Sequence, residues 1–203
     1  MNTAANLDGF EYKIIASLID PGASVLDLGC GDGELLALLR RKKNVSKVQG
    51  IEIDEKAIYK CVARGLSVFH GDIDSGLAEY DDNSFDYVIL NQSFQQVKRP
   101  DFVVGEALRV GRQAIVGFPN FAYIKARYQL AIRGYAPITR SLPYEWHDTP
   151  NLHFLSIADF INYCKKRDIK IKKAFYLRNN IQVRFFPNLL ALSGIFLISR
   201  KTD

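Results

Sequence analysis

The sequence predicts an α/β fold, a doubly wound and mostly parallel sheet of seven strands with a lid-like insertion near residues 119–156. Three observations carry that expectation. Apolar runs of four to six residues recur between Ser24 and Phe118, and stretches with helical spacing of apolar residues separate them. The first run passes into a helix through a glycine turn, Gly29-Cys-Gly-Asp-Gly33. After Phe118 the alternation stops, and a long stretch dense in aromatics intervenes before helix and strand return. Strands that alternate with helices pair in parallel, because each crossover brings the chain back to the same end of the sheet.

The elements follow in order. Residues 10–18 have helical spacing and are stopped by Asp20-Pro21-Gly22. Val25, Leu26 and Leu28 suit a strand covered on both faces. Residues 34–43 are rich in strong helix formers, with an acid first and bases last, as the helix dipole favours. A second strand over 48–53 ends at Asp54, and a helix over 55–64 is closed by Gly65 as its C-cap. Strands over 66–69, 85–90 and 113–118 follow, with a helix over 102–110 before the last. Ser156 caps a helix over 157–167, with Asp159 completing an imperfect capping box. Strands over 170–177 and 194–199 close the sheet as an antiparallel pair. No linker or repeat divides the chain, so residues 1–203 are expected to form one domain.

Composition narrows the partners. Net charge is +5, and the bases cluster at Arg40–Lys43, at Lys165–Arg167 and at Lys170, Lys172 and Lys173. Each cluster lies at a helix end or on the polar positions of a strand, which reads as a solvated face rather than a nucleic-acid surface. No apolar run approaches the ~20 residues of a membrane span. Met1-Asn-Thr-Ala-Ala-Asn6 lacks the basic and apolar regions of a leader. Cys30, Cys61 and Cys164 are odd in number, far apart and without metal-ligand spacing, so reduced thiols, a cytoplasmic location and no metal site are expected.

The glycine turn is the first chemical signal. One glycine there would mean only a tight turn, but three at alternate positions cost folding entropy and let a ligand approach the backbone. A dinucleotide fingerprint needs its third glycine at position 34, which is Glu34, and a carboxylate in the first helical turn repels phosphate. No Gly-Lys-Ser/Thr follows, which excludes a phosphate-binding P-loop. An acid in the strand at Asp27 suits a ligand carrying an amino group instead. The run Asp27-Leu-Gly-Cys-Gly-Asp-Gly33 resembles motif I of class I S-adenosylmethionine-dependent methyltransferases, whose fold is Rossmann-like.

That resemblance implies S-adenosylmethionine or S-adenosylhomocysteine as cofactor. Its holders would be Asp27, Gly29, Cys30, Gly31 and Gly33, with Cys30 a small filler rather than a nucleophile. Three further positions fall at strand ends, where open α/β sheets bind ligands. Glu52 can accept both ribose hydroxyls, Asp72 is placed near the adenine amino group, and Asn91 lies where methyltransferases hold the reacting edge of a substrate. Ile53 and Ile73 flank the first two and complete the set. Asp54 and Asp86 are expected to be solvent or supporting acids.

The insertion narrows the family. Phe118-Pro-Asn-Phe121, Arg133-Gly134 and Leu142-Pro-Tyr-Glu-Trp-His-Asp-Thr-Pro-Asn-Leu-His153 closely resemble the methionine biosynthesis protein MetW family, as do Asn91-Gln-Ser-Phe-Gln-Gln96 and Leu108-Arg-Val110. The likeness covers nearly the whole chain. One departure is His147, where tyrosine is expected. Membership implies association with a homoserine O-acyltransferase in methionine biosynthesis, while the charge pattern and the lack of a long apolar run imply no nucleic-acid or membrane partner.

Two readings follow. One is a cofactor-binding accessory subunit of the acyltransferase. The other is a methyltransferase acting on a small molecule, where positioning and desolvation do most of the work and a base serves only a protonated nucleophile. Its catalytic candidates are His147, Tyr144 and Asn91, with Asp148 and His153 behind them. His147 equally fits a packed residue bonded to Asp148.

Overall fold

A computed structural model describes residues 5–201, so the leader reading at Met1–Asn6 falls largely outside the described residues. The chain begins with α1 (Ala5–Leu18) and enters β1 (Ser24–Leu28), α2 (Glu34–Lys43), β2 (Lys47–Glu52), α3 (Glu55–Ala63) and β3 (Ser67–His70). It then crosses to β4 (Phe85–Asn91), α4 (Pro100–Val110) and β5 (Gly111–Pro119). After α5 (Ile124–Ala131) comes an irregular stretch. The chain ends with α6 (Ile157–Lys166), β6 (Ile169–Arg178), β7 (Ile181–Gln182), α7 (Pro187–Leu190) and β8 (Ser193–Arg200).

One sheet holds all these strands in the order β3-β2-β1-β4-β5-β8-β6-β7. The first five run parallel, and β8 pairs antiparallel with both β5 and β6, as the sequence predicts. The eighth strand is an addition to the seven expected. It is a two-residue hairpin partner of β6, too short for any periodicity to announce it.

Alternate residues of the central strands feed two cores. Val25, Tyr87, Ile89 and Ile115 join Ile15, Ile19, Leu35 and Leu39 on the face covered by α1 and α2. Leu26, Val88, Leu90 and Val116 join Val104, Leu108 and Phe160 on the face covered by α4 and α6. There Phe118, Phe160 and Phe196 pack with ring centroids 4.8–5.6 Å apart. Arg109 of α4 clasps the Glu106 carboxylate with Nε and Nη2 at 2.7 and 2.9 Å and donates to the Leu77 and Tyr80 carbonyls. This ties the β3–β4 connection to the α4 face and holds the Glu106 carboxyl below its usual range. The capping box of α6 closes despite its Asp, with Ser156 N–H donating to Asp159 Oδ2 at 3.0 Å and Asp159 N–H to Ser156 Oγ at 3.2 Å.

Asn120 fastens both ends of the insertion. Its Nδ2 donates to the Ala191 and Asn188 carbonyls at 2.9 and 3.1 Å, and its Oδ1 accepts from Ala122 and Ile157 N–H at 3.1 and 3.4 Å. The side chain is wholly buried, so alanine leaves those backbone groups without partners. Asn120→Ala is expected to destabilise the protein by about 2 kcal/mol in urea unfolding and to increase proteolysis within the insertion. Unchanged stability and cleavage would show that the insertion is held elsewhere.

Candidate cofactor site

The parallel strands leave β1 in both directions, β2 on one side and β4 on the other. Ligands of open α/β sheets sit at such a switch point, beyond the carboxyl ends of the strands. The glycine loop follows β1 there. Gly29, Gly31 and Gly33 all have positive φ, at 75°, 56° and 77°, but for different reasons. A Cβ on Gly29 would lie 2.8 Å from Ser93 Cβ, and one on Gly33 would lie 2.5 Å from Leu66 Cδ1 and 2.9 Å from Cys61 Sγ. A Cβ on Gly31 meets nothing within 4 Å. Gly33 is therefore a packing glycine at the start of α2, away from the cavity wall, while Gly31 faces open space.

Glu52 holds the loop in place. Its Oε2 accepts from Gly31 N–H at 2.8 Å, and its Oε1 accepts from Ile53 and Asp54 N–H at 2.8 and 3.0 Å. Three of the roughly four acceptor positions of a carboxylate are thus taken, which leaves one on Oε2 for a ligand hydroxyl. Arg64, the C-cap of α3, supports the loop from outside, donating to the Asp32 carbonyl at 2.8 Å.

Asp27 lies at the floor. It is 3% exposed, and no hydrogen-bond donor among the described residues reaches its carboxylate. Burial, and secondarily the charge of Glu52, pushes its pKa up to about 7. Cys30 packs its thiol against Gly50, and burial followed by the Asp27 charge drives its pKa far above the usual thiol range. It is a filler and no nucleophile.

A cavity of about 540 Å³ opens above these groups. Asp27, Gly29, Cys30, Gly31, Glu52, Ile53, Asp72, Ile73 and Asn91 all line it. Asp72 caps the turn at Ile73–Ser75 by accepting from Asp74 N–H at 2.9 Å, and Asp74 in turn accepts from Lys98 and Arg99 N–H at 2.9 and 3.0 Å. Five carboxylates (Asp27, Asp32, Glu52, Asp72 and Asp74) face it against the single base Lys98. Such a wall repels polyphosphates and favours a ligand with a cationic group. A hollow of about 580 Å³ near α4 and α6 offers no comparable chemistry, since its Arg167 and Tyr163 are bonded to Asp101 at 2.6 and 2.9 Å.

The wall includes residues that sequence reasoning did not assign to the site: Tyr12 of α1, Gln92, Ser93 and Gln96 of the family-like run, and Val97 and Lys98. Gln92 has φ 60° and donates to Glu11 Oε2 at 3.1 Å, while its carbonyl accepts from Gln95 and Gln96. A left-handed glutamine has no sequence signature. Asn91 Oδ1 is buried against Gly117 with no partner among the described residues.

The insertion adds nothing to this wall. It borders an adjoining cavity of about 210 Å³ that shares Gln92 and Gln96 and also holds Glu11, Arg140 and Tyr144. His147 lines neither cavity, and its Nδ1 lies 3.6 Å from Glu145 Oε2 rather than beside Asp148. His153 donates its ring Nε2 to the Val97 carbonyl at 2.9 Å, and Leu152 and His153 N–H donate to the Gln95 carbonyl at 2.9 and 3.1 Å. Asp54 caps α3 through Lys56 N–H, and Asp86 binds Ser24, so both are structural acids.

Residues 10–198 match the family model of methionine biosynthesis protein MetW. The chain belongs to the MetW family. Among its relatives is a bifunctional methionine biosynthesis protein MetXA/MetW of Rhodopirellula baltica, 39% identical over 203 residues. The match covers 94% of this chain and 33% of that protein, so the chain spans a third of that relative's length. A ribosomal protein L11 methyltransferase of Burkholderia vietnamiensis is 40% identical over 74 residues, 36% of this chain and 24% of its own. Solved structures share the MetW-family fold. An S-adenosylmethionine-dependent methyltransferase of Thermotoga maritima, a possible histamine N-methyltransferase, matches with TM-score 0.69, 18% identity and coverage of 98% and 91%. Magnesium protoporphyrin IX methyltransferase of Synechocystis, solved with S-adenosylhomocysteine, matches with TM-score 0.65, 17% identity and coverage of 98% and 83%. At these identities the likeness speaks for the Rossmann-like fold alone.

Proposed function

We propose that this MetW-family chain binds S-adenosylmethionine or S-adenosylhomocysteine and acts as a cytoplasmic accessory subunit of a homoserine O-acyltransferase. The observation that carries the accessory role is the relative in which MetXA and MetW share one polypeptide, with the MetXA part read as the acyltransferase. Fusion of two proteins that work together raises their effective concentration. The cofactor reading rests on the acid-lined cavity and the open face of Gly31. Asp27 would meet the α-ammonium, Glu52 a ribose hydroxyl and Asp72 the adenine edge, with Gly31 allowing close backbone approach. When bound, the cofactor supplies an electrophilic methyl on a sulfonium centre, or a signal of its concentration.

The signalling use has a structural route. The Gln92–Lys98 segment lines the cavity on one side and is hydrogen-bonded to Leu152 and His153 of the insertion on the other. A ligand that orders this segment therefore acts on the insertion as well. Acyl transfer by the same organism's acyltransferase, assayed with and without this chain and with cofactor added, tests the reading. Activity that rises with the chain and responds to cofactor supports it. No complex at micromolar concentrations and no change in activity overturn it.

One observation favours a second reading, a small-molecule methyltransferase. The 210 Å³ cavity adjoins the cofactor cavity, and Glu11, 4% exposed, places a carboxylate there beside Tyr144. Formation of S-adenosylhomocysteine with a small acceptor, slowed in Tyr144→Phe, a residue of the smaller cavity alone, while cofactor affinity is kept, would establish it. Binding without turnover counts against it.

A further inference from the structure

Ten of the nineteen large hydrophobic residues exposed among the described residues fall between Ile124 and Phe154. Scattered apolar residues need no explanation, but concentration in one segment marks an interaction surface. The segment has a shaped centre. Tyr135, Ile138 and Trp146 line a hollow of about 330 Å³ with Arg133 and Glu145 at its edge, separate from the cofactor cavity. Trp146 is 78% exposed and Tyr135 65%. Aromatic and arginine side chains around a socket are the anchors that dominate protein interfaces.

The charges select the occupant. Lys125, Arg127, Arg133 and Arg140 are all exposed within the segment, against two acids, Glu145 and Asp148. A second copy would bring like-charged rims together across a two-fold axis, which is costly. A partner that offers an apolar side chain to the socket and acidic residues to the rim fits. The same segment is bonded through Leu152 and His153 to the wall of the cofactor cavity.

We infer that this surface, centred on Tyr135, Ile138 and Trp146, is where the homoserine O-acyltransferase docks, through an apolar anchor ringed by acidic side chains. The inference rests on the accessory-subunit reading above. Docking here places the partner on the insertion, whose Leu152 and His153 are bonded to the wall of the cofactor cavity, so one element carries both attachment and regulation.

The test is equilibrium binding of the acyltransferase, by sedimentation or interferometry, to wild type, Trp146→Ala, Arg133→Glu and Tyr59→Ala. Tyr59 is an exposed aromatic on α3, 71% accessible, and serves as a control on another surface. Trp146 and Arg133 are exposed, so their variants should melt as the wild type does. The expected result is affinity reduced at least ~30-fold by Trp146→Ala and about 10-fold by Arg133→Glu, with Tyr59→Ala unchanged. Wild-type binding that all three variants retain overturns the docking surface and leaves the accessory reading standing. Absence of wild-type binding overturns both. Self-association or vesicle binding abolished by Trp146→Ala, with acyltransferase binding intact, makes the occupant a second copy or a membrane and overturns the inference.

Discussion

Gly31→Arg should abolish S-adenosylmethionine and S-adenosylhomocysteine binding, at least ~100-fold in calorimetric titration, while the protein stays folded. The argument is local. A Cβ at this position meets nothing within 4 Å, so the new side chain displaces no packed atom. It grows into the 540 Å³ cavity, where Asp27 and Glu52 attract its guanidinium in the place of a cationic ligand. The fold loses only the strain of a non-glycine residue at φ 56°, about 1–2 kcal/mol. Gly33→Ala is the contrasting variant. Its methyl collides with Leu66 and Cys61, so any loss of binding should come with a clear drop in melting temperature. Wild-type affinity in Gly31→Arg would place the cofactor away from this loop and remove the basis of the cofactor reading.

How much of this was legible in the sequence depends on the range of the interaction concerned. The parallel strands, their helices and the glycine loop were readable, because periodicity and turn residues act over a few positions. Glu52, Asp72 and Asn91 were readable by a topological rule, that ligands gather at the ends of parallel strands. Gly33 shows where such reasoning stops. Three glycines in one motif look alike until Leu66 and Cys61, about thirty residues onward, occupy the space beside one of them. The Gln92–Lys98 wall stayed hidden for the same reason. Its shape depends on Gln92 in a left-handed conformation, held by Glu11 of the first helix and by the Gly117 carbonyl of β5. His147 was the attractive candidate because histidine beside tryptophan and aspartate suggests a base. Its backbone instead follows an exposed loop, with Glu145 nearest and the cavity out of reach.

Asp27 should reveal itself through protons. With its pKa pushed up to about 7, it is about half protonated at pH 7 in the free protein, and a cationic group bound beside it favours the ionised form. Titrations at pH 7 in buffers of different ionisation enthalpy should therefore show release of about half a proton per cofactor bound. At pH 5.5, where Asp27 is protonated in the free protein, affinity should fall. Stability runs the other way. The folded pKa stands above the unfolded value of 3.8, so between about pH 4 and 7 the native state binds more protons than the unfolded chain. The free protein should accordingly lose stability as pH rises through that window, by at most about 4 kcal/mol from this group. Asp27→Asn removes the ionisable group, and should flatten this dependence, raise the melting temperature at pH 8 and weaken cofactor binding. A buried acid kept at a cost in stability, with gain of stability and loss of binding on its removal, is the pattern of a group retained for its ligand. Asp27→Asn that binds as the wild type does, with the same proton release, would assign that release to another carboxylate of the cavity wall.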